Sequence, residues 1–175
     1  MNGPGLPGDP ALRMRTMQII LGGLISSVVM FGAIVVYLHT TNQAPPPQET
    51  RIVSGTSLGF AGMCVLIALI FPTILEPTWQ RQAPTETGGT LPLAEGQLSA
   101  VELYWWRLYQ TRMIVRGALL EGSCFILLIA FLLERQTWTL ITAIAVLVLL
   151  ACTFPTMHGV MEWVERQRKQ AQGLG

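Results

Sequence analysis

Four apolar runs dominate this chain, and each is long enough to cross a lipid bilayer. The first, Gln18 to Leu38, carries no charge in 21 residues, and the second, Ile52 to Leu75, none in 24. The third, Met113 to Leu133, contains Arg116 and Glu121. The fourth, Thr137 to Met161, lacks Asp, Glu, Lys and Arg and includes His158. About 20 residues at 1.5 Å each span a hydrocarbon core of roughly 30 Å. Backbone groups in lipid must be satisfied within the segment, so these runs are expected as helices. The apolar stretch of the first run exceeds a signal-peptide core and no A-x-A site follows it, so it is read as a retained span.

Composition supports the same class. Charged residues make up 12% of the chain and hydrophobic ones 51%, where soluble domains carry about a quarter charged residues. The net charge of +1 offers no basic block for nucleic acid. Cys64, Cys124 and Cys152 all lie in apolar runs without a C-x-x-C pair, so neither disulfides nor a metal site is implied. No cofactor motif and no H-E-x-x-H or G-x-S-x-G signature is present, so no enzyme is expected.

The fold class expected is an all-α membrane protein, a four-transmembrane-helix bundle made of two helical hairpins. The organisation reads as a disordered cytoplasmic tail (1–10), a first hairpin (11–75), a cytoplasmic loop (76–98), a second hairpin with a helical extension (99–165) and a basic tail (166–175). With the N-terminus cytoplasmic, nine of the eleven Lys and Arg residues fall on or near the inner side, leaving Arg51 and Arg135 outside. That asymmetry places both termini inside an inner (plasma) membrane. Trp79, Trp105, Trp106 and Trp163 fall near inner boundaries and Trp138 near an outer one, as interfacial anchors do. The segment "SAVE", Ser99 to Glu102, is a capping-box pattern. A helix from there to Leu133 is longer than the membrane and is expected to extend into, or along, the cytoplasmic surface.

An internal repeat is suggested. "IFPT" at Ile70 to Thr73 is echoed by "TFPT" at Thr153 to Thr156, and "QIILGGLISSVVM" aligns with "MIVRGALLEGSCF" without gaps. The relation is that of a parallel repeat about an axis along the membrane normal. Pro72 and Pro155 are then matched kinks or hinges, with Thr73 and Thr156 placed to satisfy freed carbonyls.

Small residues mark contacts between transmembrane helices. Gly55, Gly59 and Gly62 form such a face on the second run, Gly22/Ser26 and Gly23/Ser27 on the first, and Gly117/Glu121 and Ala118/Gly122 on the third. Glu121 is therefore expected at a helix contact, about 12 Å beyond Met113 along the axis. An ionisable group at that depth costs several kcal/mol unless it is paired or neutral. Arg116 lies about 140° around the helix from it, a poor intrahelical partner, and is shallow enough to snorkel. Arg112 and Arg116 share a face suited to anionic lipid or the inner loop. The candidate partners of Glu121 are Ser26, Ser27, Thr156 and His158.

The stretch "QTRMIVRGALLEGSCFILLIAFLL", Gln110 to Leu133, resembles the carboxylate-bearing helix of the rotary ATP synthase c subunit. The resemblance rests on an A-x-x-E-G core at Ala118, Glu121 and Gly122, an aromatic at Phe125 and an apolar run after it. It implies that Glu121 is an ion-binding carboxylate. The departures are a long polar loop, few glycines in the preceding run and Ser26 where the repeat mate would carry its carboxylate. Three readings follow: an accessory or scaffold subunit in a larger membrane complex or homo-oligomer, a c-like proton- or ion-binding subunit, and a small transporter hinged at the prolines. All have the lipid bilayer as partner and none involves nucleic acid.

Overall fold

The computed structural model describes residues 10–41, 52–82 and 100–171, and every regular element among them is helical. The side chains of Pro72, Thr73 and Trp79 lie outside the described set, as do residues 1–9 and 83–99; residues 76–82, read as the start of the cytoplasmic loop, instead continue the second helix. The chain order is α1 (Pro10–Thr40), α2 (Ile52–Gln82), α3 (Ala100–Glu134), α4 (Thr137–Cys152) and α5 (Met157–Ala171). Leu12–Thr40, Ile52–Phe71 and Leu103–Glu134 are long and apolar enough to cross a membrane. Among the described residues the chain is thus all-helical, with three membrane-spanning candidates. α3 is 35 residues long, close to the helix expected to run to Leu133, with Ala100 as its first helical residue.

The fourth run departs from expectation. It was read as one span from Thr137 to Met161, but its helix ends at Cys152 after 16 residues. That is about 24 Å of helix, short of a full hydrocarbon core. The cause is local. A helix continuing through Pro155 would drive the ring against the carbonyl of Ala151. The chain instead turns, with Phe154 N donating to Ala151 O at 3.1 Å and Thr153 N to Leu150 O at 3.1 Å. The Thr153 hydroxyl also donates to Leu150 O, at 2.6 Å. Thr153, not Thr156, serves a carbonyl freed at the break. Thr156 opens α5: its Oγ1 accepts from Gly159 N at 3.3 Å, an N-terminal cap.

The two "FPT" segments are therefore not equivalent. Pro155 sits in the break between α4 and α5, whereas α2 runs unbroken through Pro72. The paired hinges and the repeat drawn from these motifs have no counterpart in the helix boundaries.

The arrangement of two packed hairpins is also revised. α3 is the hub: α1, α2, α4 and α5 all pack on it, most extensively α2. α4 also meets α1 and α2, while α1 and α2 have at most marginal contact. The first hairpin is a pair of neighbours in sequence held apart by α3.

The packing stripe of α2 is not the one read from its glycines. Gly55, Gly59 and Gly62 are exposed, with open space where a Cβ would stand. The buried face is Ser54, Ser57, Ala61, Cys64 and Ala68. Its 3–4–3–4 spacing is the seam of a left-handed helix pair. Small residues still make the contact, as close approach between membrane helices requires.

Two cores stack along α3. The larger joins Leu21, Val28 and Val35 of α1, Ala61 and Ala68 of α2, Leu120, Cys124, Leu127, Leu128 and Phe131 of α3, and Ala143, Val146 and Leu150 of α4. The second, at the N-terminal end of α3, joins Met14, Met17, Trp105, Trp106, Val160 and Val164. Trp105 and Trp106 are each only 1% exposed. They are core residues and present no ring to lipid, contrary to the anchor reading. Trp138 is 37% exposed, and Trp163 is partly buried against Tyr109, with ring centroids 5.3 Å apart. The helical extension of α3 is covered by the start of α1 and by α5, which occupies much of the expected basic tail.

Candidate functional site

Glu121 lies one turn beyond Gly117 on the α1 side of α3. A Cβ at Gly117 would stand 3.0 Å from both Leu21 Cδ1 and Leu24 Cδ1. The missing side chain is thus what lets α1 close on α3 at this level. α1 continues upward with Phe31 against Phe125, centroids 5.2 Å apart, and Gly32 beside Leu128. Between these contacts the half-buried Glu121 meets Ser27: Ser27 Oγ donates to Glu121 Oε1 at 2.5 Å. The same hydroxyl lies 2.7 Å from Leu24 O. A serine carries one hydroxyl proton, so it serves these two acceptors one at a time. The Cys124 thiol reaches across to Ala143 O at 3.7 Å.

Of the four candidate partners, only Ser27 is brought to the carboxyl. Ser26 is exposed on α1, Thr156 is occupied as the cap of α5, and His158 is exposed on α5. The last two belong to the end of the bundle holding Trp105 and Trp106, below the level of Glu121 on α3.

A second carboxyl escaped the sequence reading. Glu134, the last residue of α3, is 3% exposed. Its Oε1 accepts from Val53 N at 2.8 Å and its Oε2 from Ser54 N at 2.9 Å. These N–H groups open α2, whose first turn contains no acidic residue. Helix starts carry unsatisfied donors and a partial positive charge, and a carboxylate answers both. In the sequence Glu134 opens the three-residue segment "ERQ" between the third and fourth apolar runs. The available signal was the absence of an acidic residue from the first turn of α2. The next residue, Arg135, has a φ of 53°, the left-handed turn that ends α3, with Arg135 N donating to Phe131 O at 2.8 Å.

At the other end of α3, Tyr109, Arg112 and Arg116 follow one another at helical spacing. The Arg112 guanidinium lies over the Trp163 ring, 5.8 Å from its centroid, within cation–π range. Among the described residues no group of His, Cys, Asp and Glu is placed to hold a metal ion. The crevices found among those residues are apolar. One is lined by Met17, Ile20, Leu21, Met113, Ile114 and Pro155, another by Leu66, Ile67, Ile70, Phe71 and Ile74.

No family model, curated protein or solved structure matches this chain. The functional reading therefore rests on the residues themselves.

Proposed function

We propose that the chain is a non-enzymatic accessory or scaffold subunit of an inner (plasma) membrane, with both termini on the cytoplasmic side. In this reading Glu121 is a clasp between α1 and α3. The observation that carries it is the Ser27–Glu121 contact: the carboxyl finds a partner within its own chain. Ser27 Oγ donates to Glu121 Oε1, so the link needs no group from outside the chain. A hydrogen bond across a helix pair offsets part of the cost of a carboxyl at membrane depth. The start of α1 and the first half of α5 share one core with Trp105 and Trp106, which supports placing the two termini on one side. The exposed apolar residues of α2 form a broad face for lipid, a larger complex or a second copy.

Substitutions at the clasp test this. Glu121→Gln retains an acceptor for Ser27 and is expected to change stability in detergent by less than about 1 kcal/mol. It leaves co-purifying partners unchanged. Ser27→Ala and Glu121→Ala each lose about 1 kcal/mol, with the two effects coupled in a double-mutant cycle. Additive losses would remove the clasp from the account.

A second reading draws on the same carboxyl. If Glu121 exchanges a proton or ion with the membrane exterior, the chain is an ion-binding subunit, as the likeness to the ATP synthase c helix implies. It predicts a symmetric ring and labelling of Glu121 by a hydrophobic carbodiimide, declining as pH rises. A monomer with unlabelled Glu121 excludes it.

A further inference from the structure

Glu121 is only half satisfied within its own chain. Its Oε1 accepts from Ser27, while no hydrogen bond reaches its Oε2. The residue is half-buried, although ionisable groups at membrane depth normally face a bundle interior. The packing of α3 shows which side it opens toward. α4 meets both α1 and α2, whereas α1 and α2 have at most marginal contact. The opposite side of α3, between α1 and α2, therefore has no covering helix among the described residues. Ala118 and Ile129 are exposed there, and Gly122 has open space where a Cβ would stand. At about 100° per residue, Glu121 stands on the α1 rim of that open face.

A matching donor lies on α1 at the same depth. Ser26 is exposed and adjoins the serine that holds Glu121, but it is about 100° around the helix from it. The hydroxyls of Thr16, Thr56, Thr111 and Thr142 each donate to the carbonyl four residues back, a common way to satisfy a helical hydroxyl. The Ser26 hydroxyl makes no hydrogen bond. A donor on the outer face of α1 and an acceptor on the rim of α3 do not meet within one chain. They share one depth and are opposite in kind, so a second copy in the same membrane supplies each with the other. Gly23, exposed one turn before Ser27 with open space at its Cβ, lets a second α1 come close, as small residues do between membrane helices. We propose that the chain forms a two-fold dimer through α1, in which Ser26 of each copy donates to Glu121 Oε2 of the other. The dimer builds on the Ser27–Glu121 contact, which holds the carboxyl at the rim. Donor and acceptor lie on one patch, as a self-complementary two-fold contact requires.

The test uses the full chain in liposomes, with Cys64, Cys124 and Cys152 replaced by alanine and one cysteine added at a time. Gly23→Cys and Ile34→Cys, on the rim of α1 beside Ser27, should oxidise to cross-linked dimers. Val29→Cys and Val36→Cys, exposed about 120–140° around α1 from Gly23, should not. Native mass spectrometry in mild detergent should find two copies. Ser26→Ala should raise the dimer dissociation constant about tenfold, the scale of two interhelical hydrogen bonds. Gly23→Leu should raise it further, while Gly59→Leu, in open space on α2, should leave it unchanged. Thermal unfolding of the dissociated chain should be unaffected by Ser26→Ala and lowered by Ser27→Ala. Dissociation thus reads the dimer and unfolding reads the clasp, so each can fail alone. A monomer at every concentration, equal cross-linking around α1, or no effect of Ser26→Ala overturns the dimer. Assemblies of three or more copies also overturn it, in favour of a head-to-tail contact.

Discussion

At the scale of single residues, two glutamates on one helix have different fates because of where the neighbouring backbone is open. Glu121 faces another helix midway, where every N–H is already used, so a side chain had to supply its partner. Glu134 faces the start of α2, where backbone donors are free. It spans both with its two oxygens, which makes it the stronger link. Glu134→Gln replaces one acceptor by a donor and removes the charge. It should cost about 1–3 kcal/mol, read as a lowered midpoint of thermal unfolding in detergent. A neutral outcome would mean that α2 is not held through its N-terminus. Glu121 was legible in the sequence as an oddity because a carboxyl deep in an apolar run demands an explanation. Glu134 was not, since an acid at a boundary looks ordinary until the facing element is known.

At the scale of elements, helix extent followed the sequence closely where apolar length decided it. α3 begins and ends near the expected positions because its apolar run is a local feature. The face each helix presents was harder to read. Gly55, Gly59 and Gly62 formed the obvious close-contact motif, but α2 packs through Ser54, Ser57, Ala61, Cys64 and Ala68. Small residues lie on both faces, and spacing alone ranks them equally. The choice is tested by size. Gly59→Ala fills open space and should be neutral or stabilising by up to about 1 kcal/mol, through helix propensity. Gly117→Val meets Leu21 and Leu24 and should lose about 1–3 kcal/mol. The reverse order, measured by thermal unfolding of the two variants, would restore the glycine face. α5 supplies a further prediction. Removing residues 157–175 uncovers Trp105 and Trp106, so tryptophan emission should shift to the red and iodide quenching should rise. An unchanged spectrum would mean that other segments cover these rings.

At the scale of the whole molecule, α3 organises everything else. The first two helices, adjacent in sequence, both pack on α3 in preference to each other. Cysteine pairs check this directly in a background with Cys64, Cys124 and Cys152 replaced. Gly32→Cys with Leu128→Cys, whose side chains approach across α1 and α3, should oxidise readily to a bridge. Pairs at matched depth on α1 and α2 should not. Efficient α1–α2 bridges would re-establish the hairpin. Membrane association of helices gains little from the hydrophobic effect, because lipid tails are as apolar as the side chains. The order of packing is therefore set by close contact and by polar links such as Ser27–Glu121 and Val53/Ser54–Glu134. Both of those links end on α3.

The division between what was readable in advance and what was not follows from the range of the forces. Apolar length and the absence of charge act within a few turns of the chain, so the helices and the membrane class were legible from residue order. The break at Pro155 is also local, but its two outcomes, kink or separation, depend on whether α5 finds a surface to cover. Trp105 and Trp106 supply that surface, and they lie 50 residues away in sequence. The hub position of α3, the choice of the serine and alanine face on α2, and the seating of Glu134 on the start of α2 all join segments distant in sequence. Nothing within any one helix distinguishes these pairings, so they emerge only when the helices are assembled.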